Sequence, residues 1–268
     1  MPVKTLIPLL SLLLVCSSQL SHAQESPYEI SWEKDGPWLG ASLAGTTAGF
    51  LIIQNKKGFT EQELAALSNN SVNSIDRYAI GNFDEDASKK SDIPFYTSFA
   101  IPLAMLATSR QNDHAGQLSL MYLESLTTTA ALFTLSAGLT NRARPKAYNT
   151  DLSLGERMEP TNTRSFYSGH VAASATSTFF AAKVFNDFYP QSDWKWVVWG
   201  GAAAIPAVVG AYRIKAGQHF LTDVALGYAM GAASGILIPE LHKKKNENLS
   251  YAPIISPEMS GIYVGLTF

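Results

Sequence analysis

Six stretches of helical length and apolar character run along the chain, at roughly 37–54, 93–109, 117–139, 168–186, 194–212 and 220–239. They are rich in Ala, Gly, Ser, Thr and Leu, residues that let helix backbones approach closely. A polar segment from Gly58 to Asp92 separates the first two and has its own helical pattern at Glu61–Leu67. No internal repeat is evident, and Lys243-Lys244-Lys245 closes the helical part.

The tail has a different period. Ile262, Val264, Leu266 and Phe268 alternate with Tyr263, Gly265 and Thr267, the spacing of a half-buried strand. Leu249 to Ile255 is the expected partner, across a turn at Pro257–Gly261. A strand ending in Phe resembles the last strand of outer-membrane barrels, but two strands cannot close a barrel. The pattern therefore predicts an all-α chain, a six-helix bundle with a short C-terminal β-hairpin.

Residues 1–23 read as a secretory signal, with Lys4 as its charged start and Leu6–Val15 as its apolar run. Cleavage is expected after Ala23. Residues 24–36 are then a polar, exposed lead-in, 37–245 the helical domain and 246–268 the strand-like tail. Cys16 is the only cysteine. Val15 stands where a lipidated cysteine usually follows a small residue, which argues against lipidation. Cleavage would leave a thiol-free chain, suited to an oxidising compartment. A single cysteine excludes disulfides within the chain and Cys-rich zinc sites, and its removal would exclude thiolate catalysis.

Hydrophobic residues make up 46 % of the chain and charged residues 16 %, against about 25 % charge in ordinary soluble domains. The formal net charge is -2, so no global field favours nucleic acid. A membrane span needs about 20 apolar residues. The charge-free runs Trp196–Tyr212 and Val224–Pro239 are shorter, and Glu124 and Lys183 interrupt two others. A cleaved signal would also leave the N-terminus outside, so that three crossings would put Arg142 and Arg144 in the cytoplasm. Six spans, a cleaved signal and a periplasmic site are mutually incompatible. The sequence favours a periplasmic bundle associated with the membrane, over a six-span protein that keeps its signal.

Three polar clusters stand at the ends of the apolar stretches. Asn141-Arg142-Ala143-Arg144-Pro145 follows the third. Ser165-Phe166-Tyr167-Ser168-Gly169-His170 opens the fourth. Arg213, Lys215, Gly217, His219 and Asp223 join the fifth to the sixth. Each has a structural reading: C-terminal dipole partners, an N-cap and turn, a His–Asp packing pair. Together they describe a phosphate site. Arginines are forked, permanent donors matched to phosphate oxygens. Ser168 and Gly169 bring a helix start close to an anion. His219 and Asp223, four apart, share a face if helical, so the carboxylate would hold the imidazole N–H and free the other nitrogen as a nucleophile. No metal is required. His114 and His242 read as solvated, and Glu124 as a buried, paired or protonated carboxylate.

At these residues the chain resembles the type 2 phosphatidic acid phosphatase and vanadium haloperoxidase superfamily, whose pattern is K-x6-R-P, P-S-G-H and S-R-x5-H-x3-D. Arg144-Pro145, Ser168-Gly169-His170, and Arg213, His219 and Asp223 match it, and the likeness covers roughly residues 37–240. The resemblance implies that His219 attacks phosphorus, Asp223 supports His219, and His170 protonates the leaving oxygen. Arg144, Arg213 and the Ser168-Gly169 backbone would hold the equatorial oxygens. The motif lysine falls on Ala137; Arg142, Lys215 or Lys146 could replace it as a phosphate-binding cation. Tyr167 replaces the motif Pro and Tyr212 the motif Ser.

The expectation is a metal- and cofactor-independent envelope phosphatase. Its substrate would be a phosphorylated lipid: undecaprenyl pyrophosphate, phosphatidic acid, phosphatidylglycerophosphate or a lipid A phosphate. The alternatives are a soluble periplasmic acid phosphatase acting on small esters, a vanadate-dependent haloperoxidase, and an inactive phosphate-binding protein. Ala137 and the short chain argue against the haloperoxidase.

Overall fold

The computed structural model describes residues 25–107, 112–244, 249–255 and 260–266, the last two segments by their backbone. The signal-like segment with Cys16, the turn between the two tail strands and Phe268 lie outside the described residues. Eight α-helices occur among the described residues: α1 Trp32–Gln54, α2 Glu61–Ala65, α3 Glu85–Leu106, α4 Ala115–Leu139, α5 Leu154–Met158, α6 Gly169–Phe188, α7 Lys195–Lys215 and α8 Leu221–Leu241. All but α2 and α5 have 20 or more residues. Two strands, β1 Leu249–Ile255 and β2 Ser260–Leu266, pair antiparallel with Leu249 opposite Leu266.

Two helices begin earlier than their apolar stretches. The carboxylate of Asp84 accepts the Ala87 N–H at 2.8 Å and starts α3 at Glu85, an N-cap that a hydrophobic window does not register. Asp35 likewise accepts the Ser31 N–H at 2.7 Å at the start of α1. The expected exposed lead-in is therefore corrected. Part of 24–36 is helix, and Tyr28 before it is buried. Its hydroxyl donates to Asp187 at 2.8 Å, and its ring packs on Phe188.

The long helices alternate in direction. Helix α1 lies parallel to α4, with Ser42 hydrogen-bonded to Thr127 and Gly49 against Thr134. Helix α8 lies parallel to α6 through a stripe of glycines. A Cβ on Gly227, Gly231 or Gly235 would stand 2.5, 2.1 or 2.5 Å from the carbonyl oxygens of Ser168, Ala172 and Thr176. Helices α6 and α8 thus touch backbone to backbone, which fixes the height of His170 relative to the start of α8. Helix α7 runs against both α6 and α3: Thr178 bonds the Ala202 carbonyl, and Lys215 pairs with Asp84. As a result α1, α4 and α7 end where α3, α6 and α8 begin.

The largest apolar cluster sits towards the other end. It contains Leu118, Met121, Tyr122, Phe180, Val184 and Phe188, with Tyr28. Among the described residues, four helices (α1, α4, α7 and α8) are long and apolar enough to cross a membrane. Only 11 % of the apolar window of α1 is buried within the protein, and Trp32, Trp38, Leu43, Phe50 and Leu51 are exposed along it. An apolar surface of this extent fits membrane association. The spans are longer than the charge-free runs suggested, because the charges of α1, α7 and α8 lie at or near the helix ends and α4 carries Glu124 buried within the protein.

Candidate active site

The site forms where three helices end and three begin. Arg213 lies in the last turn of α7, and the chain after it reverses through Gly217. The Gly217 N–H bonds the Ile214 carbonyl at 3.0 Å and the Gln218 N–H the Arg213 carbonyl at 3.0 Å, the two bonds of a Schellman cap. Gly217 has φ of 69°, and a Cβ there would stand 1.8 Å from the Asn82 carbonyl oxygen, so glycine is required twice over. This turn carries Gln218 and His219 back over Arg213. It is the physical content of the R-x5-H spacing.

His219 precedes α8 rather than lying in it, so the expected helical face shared with Asp223 does not exist. The imidazole Nδ1 is 2.7 Å from the backbone carbonyl of Ser165. Donation to that oxygen fixes the tautomer and leaves Nε2 with its lone pair. Asp223 stands one layer behind. It accepts from the Ser165 hydroxyl at 2.6 Å and from the Phe220 N–H at 2.9 Å, and pairs with Arg142. The expected Asp223–His219 contact is corrected to a relay through Ser165.

Arg142 is corrected as well. Its guanidinium is held between Asp76, at 2.6 Å, and Asp223, both fully buried, and it does not line the cavity. A bare count of cations after α4 could not foresee this, because Asp76 comes from the polar segment before α3. The other two stand-ins for the motif lysine also point away. Lys215 pairs with Asp84 and Lys146 with Glu159. Ala137 is buried, and its carbonyl accepts from Lys56 at 2.7 Å.

The remaining expected residues converge. Arg144, Gly169, His170, Arg213 and His219 line a cavity of about 500 Å³ together with Phe95, Phe99, Leu126, Ala130 and Phe133. His170, in the first turn of α6, stacks on Phe95 with centroids 4.5 Å apart. Gly169 is dictated by packing, since a Cβ would meet the Phe133 ring at 2.7 Å. Ser168 is fully buried and does not line the cavity. Its N–H donates to the Asp223 carbonyl at 3.1 Å, so the anion-facing backbone donors are left to Gly169 and the residues after it. The buried Nε atoms of Arg144 and Arg213 and the Ser168 hydroxyl have no hydrogen-bond partner among the described residues. Buried donors without acceptors are costly unless an anion satisfies them.

Electrostatics agree with that reading. Burial, then Arg213 and Arg144, push His170 down to about 4. Burial, then Arg144 and Arg213, hold His219 well below the usual imidazole range. Arg144 is itself pushed down to about 9 by burial and by Arg213 and Arg164, and stays charged at pH 7. Two cations face two neutral imidazoles, which is a receptor for an oxyanion.

Four participants escaped the sequence reading. Ser165 supplies the carbonyl, Asp76 holds Arg142, Gln218 accepts from Arg144, and Arg164 adds charge beside Arg144. Ser165 and Gln218 lie inside clusters that the sequence singles out; Asp76 has no local signal.

Neither the curated proteins nor the solved structures give a match to the chain. Residues 118–247 match the family model described as PAP2 superfamily, a stretch that contains Arg144, His170, Arg213, His219 and Asp223. Similarity to that superfamily supports a phosphatase-type activity in general terms. On that match, the chain is similar to the PAP2 superfamily over residues 118–247.

Proposed function

We propose that this protein is a metal-independent phosphatase of the bacterial envelope, acting on lipid-linked phosphate esters or pyrophosphates through a phosphohistidine. One observation carries the reading: Arg144, Arg213, His170 and His219 line a single cavity together with aromatic and aliphatic side chains. The polar residues suit a phosphate and the apolar ones the first carbons of a lipid chain. The four long apolar helices would bring such a substrate to the site from a bilayer.

In the proposed reaction the Nε2 lone pair of His219 attacks phosphorus. A P–N bond forms as the bond to the leaving oxygen breaks, and that oxygen takes the proton of His170. Water then attacks the phosphohistidine, gives its proton to the now neutral His170 and displaces His219, releasing inorganic phosphate. Arg144, Arg213 and the first-turn N–H groups of α6 stabilise the charge on the equatorial oxygens in both steps. An incoming phosphate dianion would raise the His170 pKa, so that substrate helps to arm its own acid.

The test is phosphate release by the purified chain from phosphatidic acid in mixed micelles and from a small aryl phosphate. The reading predicts vanadate-sensitive release, with kcat/KM higher for the lipid. Equal kcat/KM for the two substrates would favour a broad-specificity acid phosphatase. No release from any ester or pyrophosphate would contradict the reading.

A further inference from the structure

The end of the bundle opposite the catalytic cavity holds a second buried polar cluster. Asp35 comes from the start of α1, Glu124 from α4 and His242 from the residue after α8. Glu124 is 1 % and Asp35 7 % exposed. His242 reads in the sequence as a solvated neighbour of the lysine run; its side chain is nearly buried and packed between the two acids.

Its Nδ1 is 2.8 Å from the Ile238 carbonyl, which fixes the tautomer and turns the Nε2 lone pair towards the carboxylates. Nε2 stands 3.1 Å from Glu124 Oε2 and 3.3 Å from Asp35 Oδ1, within ion-pairing reach of both carboxylates. Glu124 Oε1, fully buried, has no hydrogen-bond partner. The second Asp35 oxygen is occupied by the Ser31 N–H, which orients the carboxylate. One ligand atom from each residue lies within 4.8 Å of the others.

These distances are compatible with a shared ion as well as with an ion pair, and the charge and the buried oxygen of Glu124 favour the ion. Two ligands each about 2.1 Å from one tetrahedral ion stand about 3.4 Å apart. A ligating histidine typically donates its other N–H to a backbone carbonyl, as His242 does. Charge agrees: a protonated His242 would leave the three groups with a net negative charge, whereas a divalent cation with neutral imidazole balances both carboxylates. The exposed Glu29 and Lys34, which line the same cavity of about 280 Å³, cancel each other.

We propose that Asp35, Glu124 and His242 form a divalent transition-metal site, of the zinc type, that ties the start of α1 and the end of α8 to α4. Three protein ligands leave one position for water. The site shares no lining residue with the phosphate cavity and does not rest on the phosphatase reading.

The experiment uses the full chain in detergent, stripped with a chelator and titrated with Zn²⁺ by calorimetry, with metal content measured after desalting. One equivalent is expected. Glu124→Gln and His242→Gln, which preserve size, should each weaken binding at least about tenfold while the metal-free variants keep wild-type helical content. His219→Ala should still retain one equivalent, which excludes capture at the catalytic histidines. X-ray absorption at the zinc edge should show one imidazole, lost in His242→Gln. No retained zinc, binding unchanged in both variants, or loss of the equivalent in His219→Ala would each overturn the proposal.

Discussion

The Nδ1 of His219 stands 2.7 Å from the Ser165 carbonyl, and Asp223 reaches that imidazole only through Ser165. This relay separates two variants that a direct His–Asp pair would make equivalent. Ser165→Ala keeps the carbonyl and loses only the hydroxyl bond to a carboxylate. A hydrogen bond to a charged group contributes about 1.5–3 kcal/mol, so kcat should fall about 10- to 100-fold. Asp223→Ala also releases Phe220 and Arg142 and should lose more activity, with a clear drop in melting temperature. Steady-state kinetics beside thermal melts check the order.

The three arginines should divide by role. Arg144→Ala and Arg213→Ala remove donors to the developing oxyanion, so kcat/KM should fall about 10²- to 10³-fold with little change in stability. Arg142→Ala instead leaves Asp76 and Asp223 buried without their cation. Breaking a buried pair costs about 3–5 kcal/mol; a quarter of the Arg142 side chain is exposed, which places its cost near the lower limit. Denaturant unfolding of the three variants distinguishes a binding arginine from a bracing one.

Much of this site is legible in the sequence because its elements end where its chemistry lies. The R-x5-H spacing is a Schellman turn, and Ser168-Gly169 is a helix start; both are local structures with local signals. What stays hidden depends on distance. Asp76 reaches Arg142 and Thr222 from the polar segment before α3, and no spacing rule links positions so far apart. Helix starts at Trp32 and Glu85 are hidden for another reason: their caps are polar, and an apolar window begins too late.

The glycine stripe of α8 supplies a stability test with an internal control. Gly231→Ala would push a methyl against the Ala172 carbonyl. It should cost about 1–3 kcal/mol and lower kcat by shifting the start of α8 relative to α6. Gly200 and Gly201 on α7 have open space around them, so alanine there should be neutral or should stabilise by up to about 1 kcal/mol. Thermal melts of the three variants check the contrast.

The two imidazoles give a pH dependence of definite sign. His170 and His219 have folded pKa values below the ordinary value of 6.5. An unfolded chain therefore binds protons that the folded chain does not, and stability is lost as pH falls below 6.5. Inorganic phosphate or vanadate should restore it by favouring charged imidazoles. Melting temperatures from pH 7 to pH 5, with and without vanadate, check both parts. Catalysis should favour acid pH for the same reason, because His170 must hold a proton and His219 must not.

The central claim is that His219 takes the phosphoryl group inside the Arg144–Arg213 cavity. Rapid acid-free quenching of the purified chain with a ³²P-labelled ester tests it most directly. Wild type should carry an acid-labile, alkali-stable phosphoryl group on His219, and His170→Ala should accumulate it when the leaving group needs no proton. Turnover with no label on His219, or undiminished turnover in His219→Ala, would contradict the account.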